Sequence, residues 1–386
     1  TIWETLANTA KRQPKSFYVV IDEAHRGSAA DDSAWREILE YFNSSTQIGM
    51  TATPKQEHGA DNIEYFGEPI YIYSLKQGIE DGFLAPYRVI RVTLDADVEG
   101  FRPYAGQVDK YGNEIPDEEY NVIDFDRRLV IDERTETVAK KITEFLKNTD
   151  RFSKTIVFCV DIAHAERMRQ ALMNENADLV SENRKYIMRI TGDNEEGKNE
   201  LDNFIDPEQK YPVIVTTSKL LTTGVDAKTC KLIVLDTNIH SMTEFKQIIG
   251  RGTRVDEEFN KYYFTIMDFR QATKLFADPA FDGPAISTLE KTGDDEITIP
   301  QEDDYVVTPD EVNTLKDSDD TGYEETIYDV FPEEEPEKPK KYYVNGIDVE
   351  VINETVQYYD KDGKLTTESL RSYTKKSLYN RYKTLN

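Results

Sequence analysis

The sequence contains few of the residues that characterise disulfide-rich or metal-rich proteins. Its 386 residues include two cysteines and four histidines. Two cysteines cannot build a disulfide framework, and so few histidines leave no cluster with metal-ligand spacing. We therefore expect Cys159 and Cys230, which lie in or beside apolar runs, to be reduced and buried in a cytoplasmic protein.

Long apolar runs are also absent. No stretch approaches the roughly 18 residues that a membrane-spanning helix needs, so no membrane partner is expected. The N-terminal stretch TIWETLANTAKRQPKS has no basic start, apolar centre or small-residue cleavage site, and it lacks an initiator methionine. We expect the chain to be part of a longer protein.

Positive charge is scarce in one region in particular. The net charge is −27, and residues 290–337 carry nineteen acidic residues against two lysines, which contributes −17 of that total. The rest of the chain is only moderately acidic, so local basic surface could still follow a nucleic-acid backbone. The acidic segment could dock on a partner subunit or on the motor itself, or simply keep the protein soluble.

Apolar runs of strand length alternate with segments of helical periodicity, such as 162–174 and 242–250. The runs are FYVVID, IGMTAT, KTIVFCV, YIMRIT, VIVTT, LIVLD and YYFTIMDF. Runs that are apolar on both faces are typical of parallel strands covered by helices. The pattern predicts an α/β fold.

Composition divides the chain into segments. A first α/β block with too few strands for a complete sheet extends to residue 77, and a linker with glycine and proline follows. Two turn signals near the end, Asn345-Gly346 and Asp362-Gly363, predict β-hairpins. The predicted segments are 1–77 (partial first block), 78–87 (linker), 88–283 (complete second block, with an insertion at about 95–126), 284–341 (acidic linker) and 342–386 (β-hairpins and the start of a helical domain).

The stretch YVVIDEAHRG places two adjacent acids at the end of a strand-like run. Adjacent carboxylates repel each other unless a cation compensates. In nucleotide hydrolases such an aspartate holds Mg²⁺ and the next acid positions or deprotonates water, which assigns these roles to Asp22 and Glu23. A chance acidic turn is the alternative explanation.

Two threonine-containing segments also follow strand-like runs. In GMTATP, the hydroxyls of Thr51 and Thr53 could hydrogen-bond His25 or the acids, although Thr53 alone could be a helix cap. In LLTTGVDAKTC, the backbone amides and hydroxyls of the segment Thr222 to Asp226 can face a ribose or a nucleic-acid phosphate, and its candidate binding residues are Thr223, Gly224 and Asp226. A plain loop is the alternative.

The stretch QIIGRGTR contains two arginines close together. If it is helical throughout, Gln247, Arg251 and Arg254 are four and three residues apart and project from one face. Two guanidinium groups without an intervening acid require an opposing anion, which favours arginine fingers that face a γ-phosphate. A solvated basic face is the alternative.

In this order, the four patterns resemble the second, third, fifth and sixth motifs of superfamily-two helicases and translocases. Longer stretches resemble the motor subunit of type I restriction enzymes over about 17–283. These stretches are VVIDEAHRG, IGMTATP, YSLKQGIEDGFLAPYRVIRV, IIGRGTRV and FTIMDFRQATKLFADPAFDG, and YYVNGIDVEVINETVQYYDKDGKL resembles the region after the motor.

This resemblance implies two RecA-like domains, the first partial and the second complete, with ATP and Mg²⁺ in the cleft between them. The acid pair would lie on one wall and the arginines on the other, and His25 would couple the nucleotide to the domain interface. It also implies movement of double-stranded DNA without strand separation, in a complex with methylation and specificity subunits, and an N-terminal nuclease domain. DNA would contact a short segment made of Thr216, Thr217, Ser218 and Lys219.

One expected motif is missing upstream of Asp22, namely the phosphate-binding loop G-x-x-x-x-G-K-[ST]. The stretch GDNEEGKN at 192–199 imitates it, but Asn199 replaces the magnesium-binding hydroxyl and the acids would repel phosphate. We therefore expect this polypeptide alone to bind ATP weakly or not at all. Two alternatives to a restriction motor are another superfamily-two helicase or remodeller and a non-catalytic protein-binding module.

Overall fold

The computed structural model describes residues 18–22, 24, 34–51, 65–218, 227–239, 241–275, 340–359 and 365–370. Its N-terminal part contains two parallel strands, β1 (Tyr18–Ile21) and β2 (Thr46–Gly49), with helix α1 (Ala34–Tyr41) between them in the chain. The register pairs Ile21 with Gly49, so both strands end at the same edge. This is the strand–helix–strand unit that the first apolar runs predict.

An eight-stranded sheet forms the centre of the molecule. Its strands lie in the order β12-β11-β3-β9-β8-β5-β7-β6, and the six from β3 to β6 are parallel. The bounds are β3 (Tyr87–Leu94), β5 (Lys154–Cys159), β6 (Ile187–Arg189), β7 (Ile214–Thr217), β8 (Cys230–Asp236), β9 (Phe264–Asp268), β11 (Val351–Tyr359) and β12 (Leu365–Ser369). The predicted α/β class is confirmed.

Helices cover both faces of the sheet, and each face has its own apolar core. Successive residues of β5 alternate between the cores, since Val157 packs with one and Ile156 and Phe158 with the other. The helices are α2 (Leu75–Glu80), α3 (Asp95–Glu99), α4 (Asp132–Asn148), α5 (Ile162–Glu175), α6 (Ala177–Glu182), α7 (Glu195–Asn199), α8 (Leu201–Ile205), α9 (Met242–Ile249) and α10 (Ala272–Leu275), with a 3₁₀ turn at Arg184–Tyr186.

The two cysteines end or begin strands of this sheet. Both thiols are free and buried, as predicted. Burial raises the pKa of Cys230 to about 11 and that of Cys159 well above its ordinary value. Neither thiol is ionised near neutral pH.

The insertion after β3 packs around a small apolar core that is separate from the two cores of the sheet. It is a hairpin-like excursion in which Phe101 bridges Tyr120 and Val108 bridges Glu114, both in antiparallel fashion. The chain then enters β4 (Leu129–Ile131), which pairs in parallel with β10 (Tyr342–Val344) from the C-terminal region. The insertion and the C-terminal region therefore share one core.

The C-terminal strands join the central sheet. β11 and β12 pair with each other in antiparallel fashion, as the predicted hairpin requires, and β11 continues the sheet alongside β3. The predicted turn residues Asp362-Gly363 lie outside the described residues. The hairpin predicted at Asn345-Gly346 is wrong, because β10 pairs with β4 rather than with β11. Within the described ranges, no helix is both long enough and apolar enough to cross a membrane.

Candidate functional site

The structure brings Asp22 and Thr51 to the same edge of the N-terminal strand pair. Asp22 directly follows β1, and Thr51 lies just beyond β2. The two turns are joined, since Met50 N donates to Ile21 O at 2.8 Å and Ala24 N donates to Met50 O at 3.0 Å. Glu23, His25 and Thr53 lie outside the described residues.

The side-chain oxygens of Asp22 and Thr51 at this edge are suitable ligands for a magnesium ion. The Asp22 carboxylate is exposed and Thr51 is half-buried. Among the described residues, no group of three or more His, Cys, Asp or Glu side chains could hold a metal. Mg²⁺ in ATPases is usually held by one or two carboxylates together with water and substrate phosphates, so a single exposed aspartate suits it.

Helix α9 presents the segment that leads to the arginines. The Ser241 hydroxyl caps the helix by accepting a hydrogen bond from Glu244 N at 3.1 Å. Phe245 and Ile248 are buried against the sheet, as the apolar pattern of this helix predicts. The packing fixes the position of the residues that follow the helix.

The prediction that Gln247, Arg251 and Arg254 share one helical face is wrong. The helix ends at Ile249, so only Gln247 is helical, and Arg254 forms an antiparallel bridge with Leu84. The cause is the pair of glycines at the end of the helix, Gly250 and Gly252. Gly252 N donates to Ile249 O in a turn, and a Cβ on Gly252 would lie 2.3 Å from the Phe264 ring.

The two arginines consequently have different surroundings. Arg251 is half-buried and its Nε donates to Gln247 O at 3.0 Å, which places a cation at the negative end of α9. Arg254 is exposed on an extended segment next to residues 84–85, where Ala85 N donates to Thr253 O at 2.7 Å. That these arginines face Asp22 across a cleft stays a prediction.

Two of the four predicted DNA contacts are enclosed by protein. Thr216 and Thr217 are fully buried in β7, and the Thr216 hydroxyl donates to Ala165 O at 2.9 Å. Ser218 is half-buried after the strand. The remaining predicted residues of this lobe lie outside the described residues: Lys219, Thr223, Gly224 and Asp226. A DNA role for this segment stays a prediction.

A buried network of charges lies at the carboxyl ends of the central strands. Asp236, the last residue of β8, is fully buried. Its Oδ1 accepts hydrogen bonds from Arg134 at 2.9 Å and from Arg270 at 2.8 Å. Arg134 also forms a bidentate pair with Asp97, with distances of 2.7 and 3.0 Å. The network thus joins α3, α4, β8 and the residues after β9.

Asp126, at the end of the insertion, is the second acidic centre of the network. It accepts hydrogen bonds from Arg270 at 2.7 Å and from Arg167 at 2.6 Å. Lys341 Nζ, from the C-terminal region, donates to the backbone oxygen of Asp126 at 2.6 Å and also contacts Asp161. These bonds fasten the insertion and the C-terminal region to the sheet.

His164, fully buried on α5, completes the network. Its Nδ1 accepts a hydrogen bond from Val160 N at 3.2 Å, and its Nε2 lies 3.3 Å from Asp236 Oδ2 without hydrogen-bond geometry.

The arginines and the fully or nearly buried aspartates of the network are equal in number, three of each. They are Arg134, Arg167 and Arg270 against Asp97, Asp126 and Asp236.

The arginines keep the central aspartates ionised despite their burial. Burial opposes the ionisation of Asp126, but His164, Arg270 and Arg167 outweigh it and hold the pKa of Asp126 at about 2. Burial also opposes the charge of Asp236. There Arg134 and Arg270 hold the pKa of the carboxyl well below its ordinary value. An internally neutral set of buried charges is suited to holding segments together rather than to binding an anion.

Sequence reasoning missed this network. The usable signal was the polar end of two strand-like runs, Asp236 after LIVL and Arg270 shortly after TIMD. Charged groups at the carboxyl ends of neighbouring parallel strands meet at one edge of a sheet. The distant partners, Asp97 and Asp126, had no local signal.

Comparisons with known proteins agree with this architecture. The family described as "Type III restriction enzyme, res subunit" matches residues 4–56, and the family described as "Helicase conserved C-terminal domain" matches residues 136–256. The first match contains the Asp22 and Thr51 turns, and the second contains α9 and both arginines. The two matches therefore fall one in the first predicted block and one in the second.

Type I restriction subunits are among the similar proteins. The chain is 57% identical over 378 residues to the "Type I restriction enzyme EcoAI endonuclease subunit" of Escherichia coli, which covers 95% of this chain and 46% of that protein. It is 33% identical over 284 residues to the EcoKI endonuclease subunit of Escherichia coli (strain K12), covering 65% of this chain and 23% of that protein.

A solved fragment assigned as an HsdR subunit of a type I restriction enzyme from Vibrio vulnificus YJ016 is also similar. It is 45% identical with a TM-score of 0.55, and the match covers 73% of this chain and 49% of that one. The chain spans about half the length of the EcoAI subunit and of the Vibrio vulnificus fragment. By sequence and structure, the chain is homologous to the endonuclease (HsdR) subunits of type I restriction enzymes and carries helicase-type domains.

Proposed function

We propose that this chain is the ATPase motor region of a type I restriction enzyme, which moves double-stranded DNA as ATP is hydrolysed. The observation that carries the proposal is the 57% identity to the EcoAI endonuclease subunit over 95% of the chain. The proposed partners are duplex DNA and the methylation and specificity subunits, in the cytoplasm. Cleavage would belong to a nuclease domain outside residues 1–386.

Each motif has a role in this proposal. Asp22 would hold Mg²⁺ with Thr51 beside it, and Glu23 would orient the attacking water. The bound ion would neutralise charge on the phosphates. Arg251 and Arg254, from the second lobe, would face the negative charge that develops on the transferred phosphate. Because Arg251 and Arg254 differ in burial and geometry, we expect their contributions to differ.

The test uses the full-length subunit assembled with its methylation and specificity subunits. We expect Arg251→Ala to lower DNA-stimulated ATP turnover by about 10³-fold, because arginine fingers contribute on that order. Arg102→Ala is the matched control, since Arg102 pairs with Asp117 on the exposed insertion, far along the chain from the motifs. Unchanged turnover in Arg251→Ala would refute the proposal.

The DNA cofactor separates this function from the alternatives. A restriction translocase should need duplex DNA, whereas a strand-separating helicase should be stimulated by single strands. A protein-binding module would show no DNA-stimulated turnover in any form. Stimulation by single-stranded DNA alone would assign the chain to another superfamily-two class.

A further inference from the structure

A small pocket lies at the amino ends of the central strands, opposite the edge that carries the buried charge network. Its volume is about 140 Å³. Lys154 is the first residue of β5, Thr229 directly precedes β8, and Lys210 lies shortly before β7. The lining residues are Phe152, Ser153, Lys154, Pro207, Gln209, Lys210, Thr229, Lys231 and Phe259.

The lining is positively charged. Of the residues that the structure describes, three lysines and no acidic residue line the pocket. Outside the lining, Asp206 interacts with Lys154, and Asp150 lies 3.3 Å from the Ser153 hydroxyl. The lining differs in this respect from the charge network at the other edge, where aspartates and arginines are equal in number.

Lys154 is the deepest of the three lysines, with 7% of its surface exposed. Its Nζ donates to Pro212 O at 2.7 Å and lies 5.3 Å from the centre of the Phe204 ring. An ammonium group has three protons to donate, and neither a carbonyl nor a ring neutralises its charge. Burial lowers the pKa of Lys154 to about 8, so the group is mostly charged at neutral pH.

Thr229 gives a second, independent indication of a ligand. It is 7% exposed, and its buried hydroxyl has no hydrogen-bond partner among the residues that the structure describes. Buried hydroxyls normally have a hydrogen-bond partner, and a hydroxyl left without one destabilises the fold. A ligand that supplies acceptor oxygens would satisfy both this hydroxyl and the remaining ammonium protons.

The size of the pocket limits the ligand. Pockets for nucleotide-sized or drug-sized ligands usually enclose about 300–1,000 Å³, so a whole nucleotide does not fit. Phosphate is compact, doubly or singly charged and rich in acceptors, and lysine is a frequent partner for it. We propose that the pocket formed by Lys154, Lys210, Lys231 and Thr229 binds a single phosphate group, either free or as part of a nucleic-acid backbone.

This site does not depend on the proposed motor function. The arginines and Asp22 are not part of its lining, and its test measures binding rather than ATP turnover. Whether or not the lysine variants lose phosphate binding, the result therefore leaves the proposed role of Arg251 undecided.

The first experiment titrates the chain with inorganic phosphate at neutral pH, by calorimetry and by thermal denaturation. We expect phosphate to raise the melting temperature, and Lys210→Ala with Lys231→Ala to weaken binding about tenfold or more. Lys140→Ala with Lys147→Ala is the control, because both are exposed lysines on α4. Lys210→Ala alone serves if the double variant does not fold, since Lys210 is exposed.

Thr229→Val separates a ligand role from a structural one. If the hydroxyl serves a ligand, the variant should keep or raise the melting temperature without phosphate and bind phosphate several-fold more weakly. Two results together refute the site. In the first experiment, wild type does not bind phosphate, or the lysine variants bind it as well as the control does. In the second experiment, the lysine variants bind duplex DNA with the same salt dependence as wild type.

The second experiment distinguishes the two sources of phosphate. Binding of a short blunt duplex is measured over a range of salt concentrations. If the pocket holds backbone phosphates, the lysine variant should reduce the slope of log K against log salt by about 2, since each neutralised phosphate contributes about 0.9. An unchanged slope together with weakened binding of inorganic phosphate assigns the site to the free anion.

Discussion

Arg134 is the residue whose replacement tests the buried charge network most directly. Its side chain is 1% exposed and donates three hydrogen bonds, two to Asp97 and one to Asp236. In Arg134→Met, Asp236 keeps Arg270, but Asp97 loses the partner that neutralises it, at a side-chain exposure of 7%. Breaking a buried ion pair in this way costs about 3–5 kcal/mol.

Urea denaturation measures this loss. With a slope of about 2–3 kcal/mol per molar urea, the midpoint should fall by about 1–2 M. Circular dichroism is the suitable signal, because both tryptophans, Trp3 and Trp35, lie before the lobe that contains the network. Arg102→Met is the control, since its pair with Asp117 is more than half exposed on both sides and should contribute less than about 1 kcal/mol.

A second variant identifies charge as the cause. Without Arg134, the Asp97 carboxylate is buried and lacks the counter-charge that it has in wild type. Asp97→Asn combined with Arg134→Met removes that charge and should recover part of the loss. A double variant that is no more stable than Arg134→Met would show that packing, and not charge, accounts for the effect.

Three further predictions concern other parts of the chain. A Cβ on Gly197 would lie 2.1 Å from Arg189 O, so Gly197→Ala should lower the free energy of unfolding by about 1–3 kcal/mol. Gly192 has open space where a Cβ would lie, so Gly192→Ala should change the free energy by less than about 1 kcal/mol. Thermal denaturation of the two variants compares these effects. The lowered pKa of Lys154 means that its charge disfavours folding at neutral pH and that this cost disappears as the pH rises from about 8 towards 10.5. The stability of wild type relative to Lys154→Met should then improve by about 1–2 kcal/mol between pH 7 and pH 10, and a constant difference would contradict the assignment. In wild type at low pH, the ionised Asp126 of pKa about 2 should stabilise the fold above pH 4 and lose that contribution as the pH falls towards 2, which acid titration by circular dichroism detects.

Local patterns in the sequence were sufficient to predict most of the central sheet. The helix predicted at 162–174 is observed at Ile162–Glu175, and the run LIVLD lies within β8. These elements were predictable because each is buried or amphipathic with a period that the sequence shows directly. The end of α9 could not be predicted in this way. Gly250 and Gly252 fit the helical spacing of the arginines, and the close contact of Gly252 with Phe264 cannot be seen in the sequence.

Pairings between distant segments could not be predicted. The alternating pattern at 351–359 indicates a strand, but nothing in it indicates that β3, more than two hundred residues earlier, is the neighbour. Arg134 likewise lies in a stretch, DERTETVAKK, that resembles a solvated helix start. Its partners are 37 and 102 residues away along the chain. Local patterns report burial and period, whereas the partners of a buried charge depend on the tertiary fold.

The polarity of the parallel sheet connects the charge network and the phosphate pocket. All carboxyl ends of the six parallel strands lie at one edge, where the three arginines of the network are neutralised by three aspartates. All amino ends lie at the other edge, where the pocket has three lysines and no acid in its lining. A cluster with an excess of positive charge attracts an anion more strongly than one in which positive and negative groups are paired. If Arg251 and Arg254 are replaced, the remaining phosphate affinity of this lobe should therefore depend on the lysines of the amino edge, and replacement of those lysines should abolish it.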